Sequence, residues 1–318
     1  MMVKAKEVAR DQRGSMVSKE VMIIVALITV YILWGSTYLG MKIAVATIPP
    51  FLMAGVRFLI AGGILYIIGR VKGGKRPTMA QWRETAIVGA LLLFSGNGVV
   101  AWAEQRVSSG IASLLVATVP LWMILFLWLG KDKRKPTGGT LLGMLLGLVG
   151  ISLLVIAPGK TEGIGGGDLI GMGALLLAAF SWAAGSMYAK GAEMPDSPIM
   201  ATGMEMLAGG VLLTLFSMLL GDWANLEVAL ISRRSLIALG YLIVFGSILG
   251  FSAYIWLLRN ADTTLVSTYA FVNPIVAVGL GWLIEKEPLT VDTLVAAGFI
   301  VLSVGLITLC RPKPEAVE

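Results

Sequence analysis

Histidine is absent from the 318 residues, and cysteine occurs once, as Cys310. His/Cys metal centres, imidazole acid-base catalysis and an internal disulfide are therefore excluded. Charge is scarce too, with Asp, Glu, Lys and Arg making up 14% of the chain where a soluble domain carries about 25%. What is present instead is apolar: 57% hydrophobic residues and a mean hydropathy of +0.86, in runs of roughly 20 residues that recur from end to end. The chain reads as an all-α polytopic membrane protein. Its net charge of +6 sits in short polar segments where it orients helices rather than meeting nucleic acid.

The breaks between apolar runs predict ten transmembrane helices, over residues 21–46, 51–69, 85–103, 110–129, 138–157, 168–189, 198–220, 235–257, 264–284 and 291–310. Around them lie a polar tail (1–20), a Gly-rich linker (158–167) and a short C-terminal tail (311–318). The first 20 residues are too polar for a signal h-region and are expected to stay attached. With the N-terminus inside, the inner segments hold 18 Lys and Arg and the outer loops 5. By the positive-inside rule both termini are cytoplasmic, in an inner or plasma membrane.

The chain also repeats. A shift of 148 places Trp34 on Trp182, Lys42 on Lys190 and Gly55 on Gly203; a shift of 154 places Trp102 on Trp256, Ser113 on Ser267 and Pro120 on Pro274. Two copies of five spans, 21–157 and 168–310, follow. Because five is odd, the second copy enters the membrane in the opposite sense, the inverted arrangement of transporters with a midplane site.

Polar residues inside apolar spans need a reason, since a charge at the bilayer centre costs at least ~2.5 kcal/mol. Arg57 and Glu205 stand at equivalent places in the second and seventh spans, each roughly 5 Å from the midplane. Either they form a helix-joining ion pair or they handle substrate and protons. Trp34 and Trp182 lie past the midplane rather than in the interfacial belt, so they either pack the core or line a cavity. Asn97 in Ser95-Gly-Asn-Gly98 and Asn273-Pro274 interrupt the helical backbone at depth, as cavity-lining kinks or hinges; Pro120 is expected to act likewise. Lys42 and Lys190 fall at interfaces, where they snorkel. Gly143, Gly147 and Gly150 have the spacing of a close helix contact.

The segments Tyr31-Ile-Leu-Trp-Gly-Ser-Thr-Tyr38, Gly55-Val-Arg-Phe58, Tyr269-Ala-Phe-Val-Asn-Pro274 and Glu285-Lys-Glu-Pro-Leu-Thr290, in that order within five-plus-five spans, resemble the EamA-type drug/metabolite transporters. The first copy departs from the acidic motif, reading Gly130-Lys-Asp-Lys-Arg-Lys135. The resemblance implies export of a small organic metabolite, an amino acid or a related drug-like solute. The expected solute site is Trp34, Tyr38, Asn97, Trp182, Tyr188, Tyr269 and Asn273, with Arg57 and Glu205 as a coupling or ion pair. Its aromatics, with Tyr254, suit amphipathic or cationic cargo. Coupling to protons and facilitated diffusion both stay open, Glu205 being the deeply placed group if protons couple, and a monomer or weak homo-oligomer is the expected assembly. No cofactor, metal or enzymatic role is expected: the glycines Gly163 to Gly167 lack a following G-K-[ST], and no D-D-x-x-D acid cluster occurs. The alternatives are a receptor or scaffold, or a lipid-modifying enzyme.

Overall fold

In a computed structural model of the chain, residues 2–106, 112, 115–130, 136–156, 169–224, 226–285 and 291–310 are described. The linker 158–167 and the tail 311–318 lie outside them. Every regular element among the described residues is helical. We name them α1 (Met2–Ala44), α2 (Pro50–Val71), α3 (Met79–Ala103), α4 (Val119–Leu129), α5 (Gly138–Ile156), α6 (Leu169–Gly191), α7 (Pro198–Leu219), α8 (Arg233–Asn260), α9 (Tyr269–Glu285) and α10 (Val291–Leu309). Six of these, α1 from Lys19 onward, α2, α3, α6, α7 and α8, are long and apolar enough to cross a bilayer. Shorter apolar helices occupy Val119–Leu129, Gly138–Gly150, Thr263–Ala277 and Leu294–Ile307.

The helix boundaries follow local chemistry. Pro50 opens α2 and Pro198 opens α7, where the missing N–H costs nothing. Thr78 and Gln81 form a reciprocal capping box that starts α3 at Met79, six residues before the expected position. Ser232 caps α8, and Asp262 accepts from Thr264 and Leu265 to cap the short turn Thr263–Val266. That turn breaks the expected ninth span, so α9 begins only at Tyr269. The N-terminal tail differs as well, since its backbone continues α1 without interruption back to Met2. Pro120 sits in the first turn of α4 and initiates that helix instead of kinking it. Pro274 lies inside α9, as expected of a residue that removes one helical hydrogen bond.

Two helix pairs bring backbones together. Between α2 and α7, a methyl group added at Gly55 would stand 2.5 Å from Thr214 Oγ1, and one at Gly203 would stand 2.5 Å from the Tyr66 nitrogen. One at Gly62 would meet the Leu207 nitrogen at 2.7 Å, and one at Gly210 the Leu59 nitrogen at 2.9 Å. Under the 148-residue shift these are two contacts, each present twice with the partners exchanged. Such isologous pairing is what a twofold relation between the copies produces, and only glycine allows it at this separation. The glycines of α5 form the second seam, facing Ile307, Ser303 and Ile300 of α10 from Gly143, Gly147 and Gly150.

In α3 and α8 the middle of the helix widens into π-type turns, over Ala90–Gly98 and Leu242–Phe251. Wide turns of this kind concentrate at functional sites. Here they stand at corresponding places in the two copies. Each carries a glycine against the neighbouring copy's tryptophan: a methyl at Gly96 would lie 2.8 Å from Trp182 Cε3, and one at Gly250 2.6 Å from Trp34 Nε1. Gly96 and Gly250 are 154 residues apart.

Candidate functional site

The two tryptophans meet at the seam, with ring centroids 5.5 Å apart and planes at 83°. Trp34 is buried, donates from Nε1 to the Gly246 carbonyl at 3.1 Å, and packs against Tyr254 (4.8 Å) and Tyr269 (5.0 Å). Trp182 donates from Nε1 to the Tyr254 hydroxyl at 3.1 Å, and that hydroxyl also bonds Ser186 Oγ at 2.5 Å. Tyr254 is wholly buried. These rings form one aromatic layer across the middle of the bundle, in edge-on and tilted contacts of the favourable kind.

Beyond this layer, toward the end of the bundle where α1 terminates, lies a cleft of about 660 Å³, part of which is open to the outside. Residues from α1, α2, α3, α4, α6, α8 and α9 line it, so both copies contribute. Of the residues expected to hold solute, Trp34, Tyr38, Asn97, Trp182, Tyr269 and Asn273 all face the cleft. Asn97 and Asn273 each keep a buried side-chain oxygen without a hydrogen-bond partner among the described residues. Sequence reasoning missed Thr37 and Gly246, which also line it; neither residue type stands out within an apolar run.

Tyr188 does not belong to this group. It lies six residues past Trp182, ~9 Å further along the helix, where its hydroxyl donates to Glu84 Oε2 and the side chain is 38% exposed. Glu84 is itself held by Arg83 at 2.8 Å.

Arg57 and Glu205 occupy separate places. Arg57 lines the central cleft, 3% exposed, donating from Nε to Ser247 Oγ at 2.7 Å, with its guanidinium carbon 4.8 Å from the Phe58 ring centre. Glu205 lies on the other side of the aromatic layer, in a small pocket of about 210 Å³ with Lys190, Met194 and Arg259. Its carboxylate is fully buried, neither oxygen has a hydrogen-bond partner among the described residues, and Arg259 is the cation whose charge acts on it. The expected meeting of Arg57 with Glu205 is absent from this arrangement. The repeat explains why: Ser247, which holds Arg57, has Leu93 as its counterpart 154 residues earlier, so the surroundings of the two charges differ.

Lys42 and Lys190 are both exposed at helix ends. Lys190 reaches Thr263 Oγ1, and Lys42 is the charged neighbour of Glu104, whose two oxygens have no hydrogen-bond partner among the described residues. No group of three or more metal-ligating side chains occurs among the described residues.

Comparison with known proteins agrees with this architecture. The model of the EamA-like transporter family matches the chain twice, over residues 21–156 and 169–309. The chain belongs to that family. It is 41% identical over 285 residues to the uncharacterized inner membrane transporter YedA of Escherichia coli (strain K12), covering 89% of this chain and 90% of that one. With the uncharacterized transporter YoaV of Bacillus subtilis (strain 168) it shares 25% identity, over 87% of this chain and 93% of the relative. A solved crystal structure superposes with a TM-score of 0.74 at 19% identity, covering 91% of this chain and 97% of that chain, which shows the shared fold. Family membership and apolar helices together make this a multi-pass membrane transporter.

Proposed function

We propose that the chain is a secondary transporter that exports a small organic metabolite, an amino acid or a related amphipathic solute, by alternating access. In this reading all ten apolar helices cross the membrane, the copies 21–157 and 168–310 insert in opposite senses, and both termini are cytoplasmic. The observation that carries it is the cleft of about 660 Å³ built from both copies and ended by the tryptophan pair. A midplane cavity at the interface of two repeats is where secondary transporters bind cargo. Trp34, Tyr38, Asn97, Trp182, Tyr269 and Asn273 hold the solute, and rocking of one copy against the other moves the opening from one side to the other.

Protons are the coupling ion, with Glu205 as the group that takes them up. This assignment is supported by a fully buried carboxylate with unpartnered oxygens on the far side of the aromatic layer from the cargo. The test is flux into proteoliposomes across a panel of amino acids, organic acids and amines. Saturable uptake of one class, stimulated by a pH gradient in the native protein and insensitive to it in Glu205→Gln, is the expected result. No flux of any panel member by correctly inserted protein would overturn the reading. Cysteine labelling is expected to find position 75 cytoplasmic and position 233 outside.

A further inference from the structure

The central cleft is chemically lopsided. Arg57 is the only charged residue that lines it among the described residues, and no carboxylate does. Its Nε is satisfied by Ser247, whereas Nη1 is buried with no hydrogen-bond partner. The buried carboxylate expected to neutralise it, Glu205, faces Arg259 in the separate pocket. The Phe58 ring lies beside the guanidinium, and a methyl added at Gly246 would stand 2.8 Å from Arg57 Nη2 and 2.9 Å from the Thr37 methyl, so the groups that border it here carry no charge.

A buried guanidinium left without an anion is costly, and the cost is repaid only when an acceptor of opposite charge arrives with good geometry. Arginine presents paired N–H groups in a plane that matches a carboxylate, and hydrogen bonds to charged groups are the strong ones. Away from Arg57 the cleft offers flat apolar surface from Trp34, Trp182 and Tyr269. Two side-chain amides, Asn97 and Asn273, also line it, each with an Oδ1 that has no hydrogen-bond partner among the described residues.

We infer that the cargo is a carboxylate: an organic acid whose negative group docks on the guanidinium of Arg57 while an apolar or aromatic body lies against the tryptophan and tyrosine rings. This inference rests on the central cleft being the cargo site. Of the amphipathic and cationic cargo that the aromatics suit, it removes the cationic kind, because a second positive charge in this low-dielectric cleft is repelled by Arg57 more strongly than any ring face attracts it. A net positive charge on the solute weakens binding, whereas an amine alongside the carboxylate is accommodated by the asparagine amides.

The experiment is calorimetric titration of the purified full chain in detergent with three matched probes: 3-phenylpropanoate, 3-phenylpropanamide and 3-phenylpropylamine. The acid is expected to bind at least about tenfold more tightly than either neutral or cationic analogue. Arg57→Gln, checked for folding by its melting transition, should bring the acid-to-amide ratio close to one, and Arg57→Lys should keep a preference for the acid. The ratio measured on the native protein decides the matter even when a variant fails to fold. Binding of the amide or amine as tightly as the acid, or no binding of the acid, overturns the proposal. A preserved acid preference without flux in liposomes would instead count against transport and leave the site assignment standing.

Discussion

Trp34 and Trp182 are equivalent residues in contact with each other and both border the cleft, yet Trp34 is buried and Trp182 only partly so. Around Trp34 the second copy supplies Phe251, Tyr254 and Tyr269, of which the first two also pack against Trp182 and Tyr269 is the contact that Trp34 has in addition. The residues 154 positions before these are Asn97, Val100 and Leu115, all smaller. The glycine contacts between the copies match, down to the reciprocal Gly96 and Gly250, so beside the tryptophans the two copies differ in side-chain volume. Asn97 and Val100 line that cleft directly. Packed interiors leave no voids without cause, and here the cause is a size difference written into one of two related sequences.

The largest expected effect comes from breaking the seam that makes the comparison possible. Gly62 of α2 approaches the α7 backbone so closely that an added methyl would stand 2.7 Å from the Leu207 nitrogen. Gly62→Leu must push the two helices apart, and overpacking of this kind costs ~3 kcal/mol or more. Loss of the cooperative melting transition or of folded yield is the expected outcome, and Gly210→Leu, at the equivalent site, should match it. A native-like melting curve in both would show that the α2–α7 approach is looser than described.

Next come the tryptophans themselves. Trp34→Ala removes a ring enclosed on most sides and is expected to destabilise by ~3–5 kcal/mol, whereas Trp182→Ala, beside existing space, should cost clearly less and act mainly on solute affinity. Melting curves and binding isotherms on both variants separate the two effects. Equal destabilisation would mean that the surroundings are more alike than their side chains suggest. Erasing the size difference is the third test. Val100→Tyr places in the first copy the residue that the second carries as Tyr254, and should weaken solute binding by roughly ten- to a hundredfold, because the ring takes up space that the solute occupies. Thermal stability should change little, since the new ring enters existing volume; unchanged affinity would place the solute elsewhere.

How far the sequence could foretell this depends on the kind of fact. The helices, the duplication and the α5 glycine contacts follow from period, shift and spacing, which one chain displays directly. The tryptophan pair was legible because two residues of a rare type stand at equivalent places in the two copies, and the structure brings them together. Depth alone misled for Arg57 and Glu205. Equal distance from the midplane says nothing about direction around the helix, and Ser247 with its counterpart Leu93 decides that direction. Tyr188 was misplaced for a related reason, since six residues along a helix carry a ring both deeper toward the end and round to another face. The π-type turn in α8 is marked only by Gly246, Ser247 and Gly250 within an apolar run, a weaker signal than Ser95-Gly-Asn-Gly98 at its counterpart.

The smallest expected effect concerns the aromatic layer that separates the cleft from the pocket of Glu205. Tyr254 belongs to it and is wholly buried, and its hydroxyl accepts from Trp182 Nε1 while bonding Ser186. Tyr254→Phe keeps the ring contacts with Trp34 and Tyr269 and removes only these polar links. It leaves the Trp182 N–H without its acceptor, a loss of about 1–3 kcal/mol for a buried group, lessened where water from the cleft replaces the hydroxyl. Because the first copy has Val100 at this place, the variant moves the second copy toward the first in polarity but not in volume. A melting point lowered by a few degrees, with solute affinity changed less than about fivefold, is therefore expected. Affinity reduced as far as by Val100→Tyr would show that the tyrosine hydroxyl, not ring volume, distinguishes the two sides of the layer, and the comparison would have to be redrawn around hydrogen bonding.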